Sequence, residues 1–171
     1  MTRELLVGAF HSTSEFPVWA VPFLFVGLWV LICTLLSWMA GHMALLARFP
    51  PVSEALTEQF HLASGYMRLV NFGSSLFVGI GPRGLHLAPN ALFRPPLFRG
   101  VPCIPWPEIT CTRPRADGFR GWFWGSKFEI RSLDLRFTLY GNPGLSVEAM
   151  LQSVSRLTAV SGSNPWRERS G

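Results

Sequence analysis
The chain has 171 residues, a formal net charge of +5 and 15% charged side chains. Setting aside its apolar N-terminal segment leaves roughly 120 residues, room for one compact domain. Three cysteines, one of them inside that segment, do not indicate a disulfide framework. Of the basic residues only Lys127 is lysine, a bias that genome composition explains more cheaply than a phosphate-facing surface.

Residues 1–16 form a mixed N-terminal tail. Its Leu5, Leu6, Val7 and Phe10 can rest on a lipid surface or a partner. From Phe16 to Ala47 there is no Asp, Glu, Lys or Arg, and only His42 titrates near neutral pH. Val18 to Ala40 supplies the run of about 20 apolar residues that a transmembrane helix requires. Trp19 and Trp38 stand about 28 Å apart at helical rise, where indole rings favour the two membrane interfaces. Pro17 and Pro22 lie in or near the first turns, where a missing N–H costs least. A buried helix of a soluble protein would show a polar face, and this run has none. A cleaved signal peptide would have a shorter apolar core and a clearly basic leader. Residues 17–48 therefore read as a permanent anchor and stalk. Arg3, Glu4 and Glu15 precede the uncharged Phe16–Ala47 segment, and the other fourteen basic and eight acidic residues come after it. The positive-inside rule puts the C-terminal part in the cytoplasm and the N-terminus outside. Trp29, Cys33, Ser37 and Gly41 form a stripe of mostly small side chains, a candidate face for packing against another helix.

Pro50-Pro51 stops the stalk. Residues 49–64 are expected to be a linker with a short helix over Ser53–Ala63. Ser53 would be its N-cap, Glu54 would sit in its first turn, and Ala55, Leu56, Phe60 and Ala63 would form its apolar side. From Gly65 the period becomes two. Tyr66–Phe72 and Leu76–Ile80 read as strands separated by Gly73-Ser74. The turn Gly81-Pro82-Arg83-Gly84 leads into Leu85–Leu87. Parity pairs Ile80 with Leu85 and Val78 with Leu87 across that hairpin. Ile104–Thr112, Phe128–Ile130 and Leu133–Leu139 carry the remaining strand signals, the last with clear alternation. Between Ile130 and Leu133 the parity flips, through a two-residue turn at Arg131-Ser132 or a β-bulge. Asn142-Pro143 opens a helix to about Val160, with Val147, Met150, Leu151, Val154, Leu157 and Thr158 as its apolar stripe. Residues 161–171 read as a disordered tail.

The fold class is α+β: a transmembrane helix, then about seven antiparallel strands, then an amphipathic C-terminal helix, the last two over residues 65–160. That order, with Gly84-Leu85-His86-Leu87 and Ile104-Pro105-Trp106-Pro107-Glu108-Ile109, resembles the pleckstrin-homology-like (PH-like, GRAM-like) domains of bacteria. The whole layout resembles single-pass bacterial membrane proteins that carry such a domain. The resemblance implies a bent antiparallel sheet capped by a C-terminal helix, and binding rather than catalysis. It does not bring with it the phosphoinositide ligand of the eukaryotic domains.

Motifs for chemistry are scarce. Gly79-Ile80-Gly81-Pro82-Arg83-Gly84 matches G-x-G-x-x-G, but a strand comes next where a dinucleotide site needs a helix. His11, His42, His61 and His86 are scattered, and no H-x3-H or C-x2-C spacing exists, so no metal or other cofactor is expected. Cys103 and Cys111 read as packing residues and His86 as a solvated strand residue. No hydrolase, P-loop or metalloprotease motif occurs, so the chain reads as a non-enzyme. Arg94, Arg99, Arg113, Arg115 and Arg120 lie in two loops with Phe93, Phe98, Trp122 and Trp124. That mixture suits an anionic headgroup surface or a protein partner. Tethering to a membrane argues against nucleic acid. The expected function is a membrane-anchored binding or scaffold protein of the bacterial inner membrane. The alternative is an accessory subunit of a larger membrane complex, packing through its transmembrane helix and N-terminal tail.

Overall fold
The structure is a computed structural model. It describes residues 17–94, 98, 100–115 and 124–162, with side chains through residue 157. Helix α1 runs Ala20–Met39, and by length and composition it can cross a membrane, a property shared by anchors and signal sequences. Only Cys33 and Ser37 on it are buried. The stalk is not a straight continuation of this helix. Gly41 takes a left-handed conformation with φ +80°, and a separate short helix, α2, spans His42–Arg48. Pro50-Pro51 lies just beyond it, and Pro51 bridges to Pro102.

Seven strands come after: β1 Glu58–Met67, β2 Val70–Ile80, β3 Gly84–Pro89, β4 Cys103–Pro105, β5 Ile109–Arg113, β6 Ser126–Ile130 and β7 Leu135–Leu139. They form one antiparallel, nearly closed sheet in the order β4-β3-β2-β1-β7-β6-β5. Helix α3, Asn142–Gly162, completes the α+β arrangement. The meanders β1–β4 and β5–β7 are joined where Gly65–Met67 pairs with Phe137–Leu139.

The β2–β3 hairpin has the expected register, Ile80 opposite Leu85 and Val78 opposite Leu87, and all four side chains are buried. The expected helix over Ser53–Ala63 is absent. Residues 58–67 are a strand, so the sheet begins at Glu58 rather than Gly65. Hydrogen bonding to β2 along the strand, and to β7 at its end, overrides the helical spacing of its apolar residues. The expected strand Tyr66–Phe72 is interrupted by the β1–β2 turn at Arg68-Leu69, where Arg68 has φ 52°. Gly73-Ser74 lies instead at an irregularity within β2.

The turn at Arg131-Ser132 is longer than expected. Residues 131–133 form a single 3-10 turn, Asp134 is left-handed, and Ile130 pairs with Leu135. Leu133 therefore precedes β7 instead of opening it. The inward parity of Leu135, Phe137 and Leu139 is kept.

One core contains the inward faces of the strands and also Ala40, Leu45 and Phe49 from the α1–α2 region. Phe128 and Phe137 are directly opposite on β6 and β7, stack with ring centroids 5.2 Å apart, and are almost fully buried. Val147 of α3 is fully buried, and Met150, Leu151 and Val154 pack on the same core. Leu157, from the expected apolar stripe, is 70% exposed. Replacing Phe137 by Ala is expected to cost about 3–5 kcal/mol of unfolding free energy. Leu157→Ala should stay within about 0.5 kcal/mol of the parent. Denaturant unfolding of the full chain in mild detergent measures both.

Candidate functional site
The region where α1 meets the sheet gathers much of the unusual chemistry. Turning the chain at Gly41 places its backbone against β7. A Cβ at this position would lie 2.6 Å from Leu135 Cδ1, so glycine is needed for the contact as well as for the positive φ. Ala40 and His42, on either side, have no exposed surface. The expected packing stripe runs into this junction. Cys33, Ser37 and Gly41 are buried within the chain itself, and the Trp29 ring lies 5.6 Å from that of Phe93, in the loop after β3. The three small residues of that face are covered in cis, and Trp29 stays 37% exposed.

Arg94, next to Phe93, donates from Nη2 to the Pro89 carbonyl at 3.0 Å. It is partly buried and close enough to His42 to act on it electrostatically. Burial and the Arg94 charge push the His42 pKa down to about 4, and the Phe98 backbone draws it slightly back. Neither His42 ring nitrogen makes a hydrogen bond of regular geometry among the described residues. The imidazole is thus held neutral at physiological pH.

The other Arg/aromatic segment has different neighbours. Arg113 sits over the Trp124 ring at 4.7 Å, a cation–π contact on exposed surface. The Arg115 backbone N–H donates to Glu148 Oε1 of α3 at 2.8 Å. Beside it opens a groove of about 620 Å3, lined by Phe60–Ser64, Arg115 and Tyr140–Pro143. Arg94 is therefore set against the α1–α2 junction, whereas Arg113 ends β5 against Trp124 and Arg115 borders the groove at the start of α3. Arg99, Arg120 and Trp122 lie outside the described residues, as do the N-terminal tail to Phe16 and the tail from residue 163.

His86 overturns its expected role. It is 4% exposed, and its Nε2 lies 2.7 Å from Glu54 Oε1. Period-two alternation assigns His86 to the face opposite Leu85 and Leu87. The segment between α2 and β1 covers that face, which no local pattern announces. The three cysteines are free: Cys103 is buried near Glu54, and Cys111 is partly buried near Glu148.

Compared with protein-family models, curated proteins and solved structures, the chain matches none.

The junction should be acid-sensitive. His42 has a folded pKa of about 4 against an ordinary 6.5. Between those values the unfolded chain binds a proton that the folded chain refuses. Stability from this group is complete above pH 6.5 and declines as pH falls, by up to about 3 kcal/mol near the bottom of the window. Thermal unfolding of the full chain across this range should show the decline, and His42→Gln should flatten that part of the profile.

Proposed function
We propose that this chain is a non-catalytic, membrane-anchored binding or scaffold protein. In this reading α1 crosses the bilayer once and the sheet with α3 is a PH-like module held against the inner surface. The carrying observation is that α1 is apolar and almost wholly exposed along its length, yet ends inside the domain core. Val21, Phe23, Leu24, Phe25, Val26 and Leu31 are all more than half exposed, and such a continuous apolar surface calls for lipid. Ala40, Leu45 and Phe49, by contrast, belong to the same core as the strands. A cleaved leader would have no reason to be built into that core, so the anchor reading is favoured over a signal sequence.

The seven-stranded antiparallel sheet with a C-terminal helix is the arrangement that the PH-like resemblance implies. Flanking charge supports an outside N-terminus and a cytoplasmic sheet, and the resemblance supports a bacterial inner membrane. Arg48 and Arg68, both exposed, lie near the inner end of α1 with Arg94, a suitable arrangement for anionic headgroups. The groove beside Arg115 offers a protein partner a separate surface. The accessory-subunit reading rests on the exposed α1 surface, Trp29 included, and on the tail, because Cys33, Ser37 and Gly41 are buried within the chain.

The full chain should stay with the membrane pellet through an alkaline carbonate wash, and release into the supernatant would end the anchor reading. Native mass spectrometry of the gently extracted protein tests the lipid part. Anionic lipid is expected to co-purify in excess over zwitterionic lipid, and the excess should fall severalfold in an Arg48→Ser/Arg68→Ser/Arg94→Ser variant. Equal retention by both proteins would turn attention to a protein partner.

A further inference from the structure
The G-x-G-x-x-G turn has a packing reason that its sequence conceals. A Cβ on Gly79 would lie 2.7 Å from Leu56 Cδ1, and one on Gly84 would lie 2.3 Å from the Ile104 carbonyl oxygen. A Cβ on Gly81 would collide with the Glu54 carboxylate. The glycines thus leave a hollow at the end of the β2–β3 hairpin, and the segment after α2 lowers Glu54 into it. Trp106 closes one side, its Nε1–H donating to the Gly81 carbonyl at 3.0 Å.

His86 reaches the hollow from β3. Its cross-strand neighbours are Gly79 on β2, which offers no side chain, and Cys103 on β4. Directly opposite residues of adjacent strands project to the same face, so imidazole and thiol stand together. Glu54 Oε1 is 2.7 Å from His86 Nε2 and 3.8 Å from Cys103 Sγ. All three donor atoms lie within 4.8 Å of one another. The Glu54 and His86 side chains are 8% and 5% exposed. The second carboxylate oxygen, Glu54 Oε2, is buried with no hydrogen-bond partner among the described residues. A buried carboxylate oxygen left unsatisfied is costly, and here it belongs to a group that already faces a nitrogen and a sulfur donor.

We infer that Glu54, His86 and Cys103 form a binding site for a zinc-class divalent transition-metal ion, with a fourth position for water. Thiolate, imidazole and carboxylate together suit zinc or cobalt better than magnesium or calcium, which prefer all-oxygen shells. Zinc bonds of about 2.0–2.3 Å to these donors put tetrahedral neighbours roughly 3.4 Å apart. The Glu54–His86 pair therefore opens by less than about 1 Å and the Glu54–Cys103 pair closes slightly. Binding replaces the His86–Glu54 hydrogen bond, moves the neutral imidazole's proton from Nε2 to Nδ1, and releases the Cys103 thiol proton to solvent. Without metal, burial and the Glu54 carboxylate raise the thiol pKa, while Arg83 acts in the opposite direction. A bound dication supplies the missing positive charge. The three ligands come from three separate segments, so they carry none of the short spacings by which metal sites are read from sequence. The metal site stands independently of the membrane reading.

The test uses the full chain in mild detergent, reduced, stripped with chelator and titrated with Co2+. Cobalt should saturate at one ion per chain, with a thiolate-to-cobalt charge-transfer band in the near ultraviolet and intense visible bands of tetrahedral geometry. Zn2+ should displace the cobalt and raise the unfolding temperature. Cys103→Ser should abolish the charge-transfer band, and Glu54→Gln and His86→Gln should weaken binding. A Cys33→Ser/Cys111→Ser variant should keep the full spectrum. If the folded, reduced parent chain shows no band and no change in unfolding temperature, the site is only a buried hydrogen-bonded cluster and the inference is overturned. A band that survives in Cys103→Ser overturns it equally. The parent titration decides even if a ligand variant does not fold.

Discussion

At Gly41 the backbone has to reverse through a left-handed conformation while lying against the Leu135 side chain, with no room for a Cβ. Only glycine meets both demands cheaply. Because the chain turns there, Ala40 and Leu45 enter the core beside the strands, and α2 delivers Phe49 to the same core. The apolar helix is therefore not joined to the sheet by a flexible tether. Its inner end is packed into it, and Cys33, Ser37 and Gly41 of the stripe are covered by the chain's own residues. The position of the sheet relative to α1 is therefore set by packing and not by linker length.

The same docking directs the segment after α2. Pro51 bridges to Pro102, Leu56 fills the space over Gly79, and Glu54 enters the hollow at Gly81. A glycine pattern that elsewhere accommodates a pyrophosphate here accommodates side chains of the same protein. The difference lies in the element after the turn: a strand, which presents side chains from both faces, instead of a helix N-terminus, which presents backbone N–H groups. His42 and His86 illustrate two ways of burying an imidazole. The first lies beside Arg94, kept neutral and without a regular hydrogen bond, and the second is paired with a carboxylate.

Legibility in the sequence tracked the range of the interactions. The β2–β3 hairpin was readable to the residue, because strict alternation and a Gly-Pro turn encode register locally. The alternation of Leu135, Phe137 and Leu139 was readable for the same reason. β1 is not legible locally, because Ser53, Glu54 and the spacing of Ala55, Leu56, Phe60 and Ala63 satisfy a helix on local terms. What makes residues 58–67 a strand is hydrogen bonding to β2 and β7, the latter some seventy residues away. The β1–β2 turn was hidden because Arg68-Leu69 carries no Gly or Pro, while Gly73-Ser74 marks an irregularity within a strand. Of the candidate site residues, Arg94 and Arg113 were identifiable as basic residues near aromatics. That one would lie against the α1–α2 junction and the other over Trp124 was not.

The sequence by itself determined an apolar helix long enough to span a bilayer, the strand-rich α+β class, the register of one hairpin and a C-terminal amphipathic helix. Each of these is written in composition or in short periodicities of 2 and 3.6 residues. Only the tertiary structure decided that the helix is built into the domain core, that its small-residue stripe is covered in cis, and that Glu54, His86 and Cys103 converge. Those outcomes depend on contacts between segments far apart in the chain, and no local period records which distant side chain will fill the space a glycine leaves open.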